Sequence, residues 1–386
     1  MQPEPNKPPP YSTAIQAELG LYTGPAVRVV AWPAGGGNPY NSQLYTHLSA
    51  LGAEVVNFSP LTLLRSSEAI WHLHWPEWML NRRSATAAGM RAAALLCLSY
   101  VARLRKTRVV WTVHNLNQHE HDHPWIEWWF WPAFIRQLSG FIVLSALGKE
   151  LVEERHPRLR RIPGYVIPHG HYRGAYPDTV SRAEARAELR LAPEARVAAF
   201  VGQIRPYKNV PHLIDTFRQI PDQRAQLLIA GQPNEPATRE LLLKAAGAEP
   251  RVHLSLEFVP ETKLQIYLRA ADLVVLPFSD ILNSGSALLA LSFDSPVLVP
   301  RIGALAELER ELGTRWVRGY SGVLTSEVLA GALEEAHRQP PGRCEALNRF
   351  GWESLARKTW EAFHAIRGGR KRRQASTPGA GRCVTM

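Results

Sequence analysis

Two cations, Arg205 and Lys208, stand three residues apart, just beyond the apolar run Arg196-Val-Ala-Ala-Phe-Val and the break at Gly202. The run reads as a buried strand, and apolar residues at 213, 214, 217 and 220 read as a helix beyond Pro211. In an open parallel sheet, ligands bind past the carboxyl ends of the strands. Two cations at such a place suit a diphosphate, whose oxygens accept charge-assisted hydrogen bonds. A solvated basic loop is the plain alternative, since most Arg and Lys are exposed. A second anion-ready stretch is Asn283-Ser-Gly-Ser, ahead of an apolar helix. Ser284 suits a helix N-cap. With Ser286 and the free N–H groups around Gly285 it would hold a phosphate, although capping by itself needs no ligand.

Groups able to move a proton lie in the first half. His114 closes a strand, where it is either a site residue or a satisfied core histidine. Glu77, Glu120 and Asp122 are carboxylates available for general-base work. The alternation His119-Glu-His-Asp-His has no second ligand group at zinc spacing, so a polar loop is expected there rather than a metal site. No Asp-x-Asp pair occurs, and no metal or other cofactor is expected.

Strands must position these groups. In the first half they are expected at 27–32, 54–58, 69–75, 108–114, 140–145 and 165–170. A glycine loop, Gly35 to Gly37, leads into a helix over 42–51, and long helices follow at 84–104 and 147–155. In the second half strands are expected at 197–201, 226–230, 252–256, 273–277 and 296–300. Helices are expected at 211–220, 236–246, 261–270, 284–293 and 325–337. Alternation of this kind predicts parallel sheets. The polar segment 172–193 predicts a linker between two α/β halves, with a cleft between them where a small molecule would bind.

The chain has 386 residues and a formal charge of +11. Arg367, Arg370, Lys371, Arg372, Arg373 and Arg382 supply six of those charges, leaving a modestly basic body. A nucleic-acid binder is disfavoured, because the cations concentrate in a tail and no binding module is visible. Three distant cysteines argue against a disulfide scaffold and fit a reducing compartment. The proline-rich start lacks the apolar core of a signal peptide, and the apolar run 92–102 is too short to span a bilayer by itself. Trp125-Ile-Glu-Trp-Trp-Phe-Trp-Pro is open to three readings: sugar stacking, a membrane-interface anchor, or core packing.

In order and spacing, Phe200-Val-Gly-Gln-Ile-Arg-Pro-Tyr-Lys-Asn, Leu228-Ile-Ala-Gly, the segment 264–278 and Ser295-Pro-Val-Leu-Val resemble GT-B glycosyltransferases of the family 4 type. The first half resembles a subgroup of bacterial polysaccharide glycosyltransferases through Gly37-Asn-Pro-Tyr, His72-Leu-His-Trp-Pro-Glu, Trp111-Thr-Val-His-Asn-Leu and Pro168-His-Gly-His-Tyr-Arg. The resemblance covers residues 27 to 366. It implies two Rossmann-like domains facing across a cleft, and a C-terminal helix that crosses back to the first. The expected division is a loosely attached 1–24, an acceptor domain 25–178, a nucleotide-sugar domain 179–345, a crossover helix 346–366 and a disordered basic tail 367–386.

The resemblance further implies a UDP- or GDP-sugar donor bound by Gly202, Arg205, Lys208, Asn283, Ser284, Gly285 and Ser286. Its base would be read near Phe258 and Val259. His114 would lie near the transferred sugar. Gly36, Gly37, Asn38, Tyr40, Trp75, Glu77 and Asn115 would bind a glycan or lipid-linked acceptor. A carboxylate base is needed if the transfer inverts and not if it retains. One departure stands out. The family's glutamate pair, eight residues apart, falls on Ile281 and Leu289, so Asn283-Ser-Gly-Ser is expected to clamp the diphosphate instead, and a catalytically impaired sugar-binding or scaffold protein is the alternative. A cytoplasmic enzyme is expected, with peripheral contact to anionic membrane and no specific nucleic acid.

Overall fold

The computed structural model describes residues 27–35, 38–81, 84–115, 123–247, 249–340 and 342–369. Six strands form the first sheet: β1 (Arg28–Trp32), β2 (Glu54–Asn57), β3 (Ile70–Leu73), β4 (Arg108–Val113), β5 (Gly140–Val143) and β6 (Gly164–Val166), in the order β2-β1-β3-β4-β5-β6. Six more form the second: β7 (Arg196–Val201), β8 (Ala225–Ala230), β9 (Val252–Ser255), β10 (Leu273–Val275), β11 (Val297–Pro300) and β12 (Val317–Tyr320), in the order β12-β11-β10-β7-β8-β9. All pairings are parallel. The central strands carry continuous apolar runs because helices cover both faces. Strand order reverses between β1 and β3 and again between β7 and β10, the crevices where open sheets take ligands.

Helices of the first half are α1 (Pro39–Ala50), α2 (Pro60–Arg65), α3 (Ala85–Leu104), α4 (Pro124–Ile135) and α5 (Ala146–Arg155). Those of the second are α6 (Arg182–Glu188), α7 (Val210–Arg218), α8 (Pro236–Ala246), α9 (Glu261–Ala270), α10 (Gly285–Ser292), α11 (Gly303–Leu312) and α12 (Ser326–Arg338), followed by α13 (Trp352–Arg367). The helix expected from Ser42 starts earlier, at Pro39, because Asn38 caps it: its Oδ1 accepts from the Tyr40 N–H at 2.9 Å. Four elements were not anticipated. β12 is short and half-polar, α2 is a single capped turn and a half, α11 has four charged residues among its ten, and the aromatic crowding of α4 hides a helical period.

α13 leaves the second half and packs on α1 and β1. Trp352, Leu355, Trp360, Phe363 and Ile366 share one buried cluster with Val29, Ala31, Tyr40 and Leu44. Burying each such side chain is worth about 1.5–3 kcal/mol. Two glycines make room for this helix: a Cβ on Gly170 would lie 2.2 Å from the Trp352 ring, and one on Gly140 2.4 Å from Ile366 Cδ1. The linker is tied down at Asp272, which is fully buried. It accepts from the guanidinium groups of Arg182 and Arg186 on α6 and from the Val197 N–H at the start of β7.

Candidate active site

Past β7 the chain turns at Gly202, where φ is +131°. A Cβ there would lie 3.8 Å from Lys208 Nζ and 3.9 Å from Ser286 Oγ. Gly202 therefore leaves open the space between a cation and a hydroxyl at the start of α10. Lys208 is buried, its Nζ 5.8 Å from the ring centroids of Phe200 and Phe278, and no carboxylate among the described residues pairs with it. Burial, reinforced by Arg205, brings its ammonium down to about 8. A buried cation without a counter-ion is costly unless an anion arrives. Ser284 caps α10, its Oγ accepting from the Ala287 N–H at 3.2 Å. A Cβ on Gly285 would meet Tyr172 Oη at 3.0 Å, so bulk there presses on Tyr172 before it reaches any ligand. Phe258 is 72% exposed and Val259 partly buried, in the loop after β9.

On the other side of the cleft, His74 and Glu77 follow β3 and His114 and Asn115 follow β4. Thr112 Oγ1 lies 2.7 Å from His72 Nε2, His72 Nδ1 2.8 Å from Tyr45 Oη, Tyr45 Oη 2.8 Å from His74 Nε2, and His74 Nδ1 2.9 Å from His114 Nε2. Desolvation keeps these imidazoles neutral: His72 falls to about 3, and His74 and His114 also lie well below the usual range. Tyr40 sets its ring edge-on to His114 at 5.0 Å and lies 4.7 Å from the His169 ring. Trp75 stacks on His114 at 4.5 Å and on Trp78 at 4.9 Å, making a ladder of rings from the site to an exposed Trp78.

Glu77 stands between Trp75 and Trp78 in sequence; the residue as a whole is partly exposed, and its carboxyl is enclosed by the protein. Burial pushes its carboxyl up to about 7, although Asn115 Nδ2 donates to Oε1 at 3.3 Å. A carboxylate poised there can take a proton near neutral pH.

The two sides meet. Asn283 Nδ2 donates to the His114 carbonyl at 3.0 Å, while Asn283 Oδ1 is buried without a partner among the described residues. His169 donates from Nδ1 to the Gly170 carbonyl at 2.7 Å, which leaves Nε2 to accept from Tyr172 Oη at 3.3 Å, beside Gly285. The structure thus gathers His114, Tyr40, Trp75, Glu77 and Asn115 opposite Gly202, Arg205, Lys208, Asn283, Gly285 and Ser286. Asn38 commits its side-chain oxygen to the α1 cap. Gly36, Gly37, Glu120 and Asp122 lie outside the described residues. His169, Tyr172, His74 and Tyr45 are site residues that spacing did not single out. The available signal was the resemblance: His169 and Tyr172 stand in Pro168-His-Gly-His-Tyr-Arg and His74 in His72-Leu-His-Trp-Pro-Glu, while Tyr45 stands in neither.

Residues 181–347 match the family described as glycosyl transferases group 1. A "GDP-mannose:glycolipid 4-beta-D-mannosyltransferase" of Xanthomonas campestris pv. campestris is 33% identical over 328 residues, covering 84% of this chain and 88% of that protein. A "D-inositol 3-phosphate glycosyltransferase" of Nocardia farcinica is 32% identical over 209 residues, 49% of this chain and 46% of that one. Among solved structures, HepE of Anabaena in complex with UDP-glucose aligns over 88% of this chain and 99% of its own, with a TM-score of 0.64 at 16% identity. Sucrose-phosphate synthase from Thermosynechococcus elongatus aligns over 90% and 100%, with a TM-score of 0.63 at 17% identity. The Xanthomonas relative and the two solved structures each cover 84% or more of this chain, so those likenesses extend over both halves.

Proposed function

The chain belongs to the group 1 glycosyltransferases, GT-B enzymes that move a sugar from a nucleoside diphosphate to an acceptor, and from that premise we propose that it transfers mannose from GDP to a glycolipid with inversion at the anomeric carbon. The observation that carries the inversion is Glu77, a carboxyl held near 7 against the Asn115 amide, in a chain whose family glutamate pair is replaced by Ile281 and Leu289. The Xanthomonas relative's name supports the donor, the acceptor class and, for an α-linked donor, a β-linked product.

In this reading Glu77 removes the proton of the acceptor hydroxyl as its oxygen forms the bond to C1. The bond from C1 to the diphosphate breaks on the opposite face, and GDP leaves with the electron pair. Negative charge grows on the diphosphate, where Lys208, Arg205, the Ser286 hydroxyl and the N–H groups at the start of α10 meet it. Groups that strengthen as charge develops lower the barrier rather than only tightening binding. These cations make a metal unnecessary, so turnover is expected to survive EDTA. A panel of GDP- and UDP-sugars with a glycolipid acceptor, read by product NMR, tests the whole. GDP-mannose turnover to a β-linked product is expected. An α-linked product would remove the inverting mechanism, and absence of turnover with every donor would favour the scaffold alternative.

The acceptor's lipid gives meaning to α3 and α4. α3 buries Ala88, Ala92, Leu95, Ser99 and Ala102 against its own domain, yet its outward stripe, Met90, Ala93, Ala94, Cys97, Tyr100 and Leu104, is also apolar. Its 20 residues are long and apolar enough to cross a membrane by length and composition. The buried stripe speaks for packing on the sheet and lying against lipid. α4 divides its aromatic run: Ile126, Phe130 and Phe134 enter the core, while Trp125 and Trp128 are 59% and 82% exposed. Arg91, Arg103, Arg105 and Lys106 are exposed along α3 and the loop after it. An apolar face fringed by cations and tryptophan fits the interface of an anionic leaflet. Replacing Trp125 and Trp128 by Ala is expected to reduce flotation with anionic vesicles and glycolipid turnover while sparing GDP affinity. Unchanged vesicle binding would remove this face from the membrane.

A further inference from the structure

The buried chain from Thr112 to His114 has a direction. A neutral imidazole has one N–H, and a tyrosine hydroxyl has one hydrogen to give. Tyr45 Oη lies between two ring nitrogens, 2.8 Å from each, so it donates to one histidine and accepts from the other. Every link beyond it then follows. Either all bonds run from Thr112 towards His114, with each ring protonated on Nδ1, or all run the other way, with each ring protonated on Nε2.

Thr112 decides between them. It is fully buried, and its hydroxyl makes no hydrogen bond among the described residues other than that to His72. In the first direction Thr112 gives its hydrogen to His72 Nε2, and the one donor left over is Nδ1–H of His114, a partly exposed residue at the site. In the second, Thr112 would accept from His72 and bury its own hydrogen without an acceptor. An orphaned buried donor is penalised far more than a spare lone pair on an oxygen. The first direction is therefore selected, and it ends on His114 with the proton on Nδ1. That nitrogen makes no hydrogen bond to a described residue, and its ring lies between Tyr40 and Trp75 in the site.

We propose that Tyr45 is a positioning residue that locks three buried imidazoles into one tautomer and so presents His114 to the transferred sugar as a hydrogen-bond donor through Nδ1–H. This rests on the reading that His114 faces the donor sugar, and it assigns the base role elsewhere, since a protonated Nδ1 cannot accept the acceptor's proton. The lock also reaches α13, whose Phe363 sets its ring edge-on to His72 at 5.2 Å.

Nitrogen-15 NMR of the histidine rings in the whole protein reads the tautomers directly. All three rings are expected as the Nδ1–H form at neutral pH. Three Nε2–H rings, a mixture, or a charged ring would overturn the lock. Tyr45→Phe keeps the ring and removes the hydroxyl. It is expected to lower kcat about tenfold with little change in KM for the donor, and to shift the ring signals of His74 and His114. A folded Tyr45→Phe enzyme with normal kcat and unshifted rings would show that the hydroxyl only fills the core. If the rings have the expected tautomer and shift in Tyr45→Phe while turnover stays normal, the lock stands and the contact of His114 with the sugar falls. Should Tyr45→Phe fail to fold, the tautomers of the unaltered protein still decide the direction.

Discussion

Glu77→Gln is expected to lower kcat by about 10²–10⁴-fold, the usual range for loss of a general base, while the affinity for GDP stays near that of the unaltered enzyme. Gln keeps the volume and one oxygen for Asn115, so the change removes basicity and little else. The pH dependence follows from the raised carboxyl. Glu77 must be ionised to take a proton, so kcat/KM should fall as pH drops below about 7, and the variant's residual rate should lack that limb. Stability should respond in the opposite sense. A carboxyl whose folded pKa lies above its unfolded one stabilises the fold at pH below the ordinary carboxylate range, and that contribution is lost as pH rises through about 7. Glutamine does not ionise, so at pH 8 the variant should melt at or above the temperature of the unaltered protein. Near-normal turnover in a folded Glu77→Gln enzyme would remove Glu77 as the base and turn attention to Glu120 and Asp122.

Lys208→Met should weaken binding of GDP or UDP by about 1.5–3 kcal/mol, the worth of a hydrogen bond to a charged group, or roughly 10- to 100-fold in Kd. The side chain is buried and no carboxylate among the described residues pairs with it, so burial holds its ammonium near 8 until a diphosphate supplies a counter-ion. Binding then takes up a proton wherever the free lysine has lost it. Affinity for the nucleotide should therefore decline as pH rises above about 8, and the methionine variant should show no such decline. Calorimetry at pH 7 and 9 measures both effects. An unchanged Kd in the folded variant would place the diphosphate away from Gly202 and Ser286.

Much of the architecture was legible because its signals are local. A strand covered on both faces reads as a continuous apolar run, as at Val197 to Val201. A helix such as α9 reads by its period, and its observed bounds, Glu261–Ala270, coincide with the expected ones. The cationic loop after β7 and the Asn283-Ser-Gly-Ser start of α10 were equally visible, since each needs only a strand end, a glycine and the right donors. α4 was not, because a segment aromatic on every side carries no period, and its division into a core face and an exposed tryptophan pair depends on what packs against it.

By itself the sequence determined the kinds of elements, their order and the residues available at the strand ends, since these follow from side-chain shape and polarity within a few positions. Tertiary structure alone decided what those residues are. Glu77 has an ordinary carboxylate in sequence, and only burial moves it to about 7. His72, His74, Tyr45 and Thr112 are separated by up to 67 positions along the chain, and only the pairing of β3 with β4 under α1 joins them into one hydrogen-bonded line. His169 and Gly285 come together only because α13 and the linker hold the two sheets face to face. Desolvation and hydrogen-bond direction are properties of neighbours in space, and no spacing rule along a chain carries them.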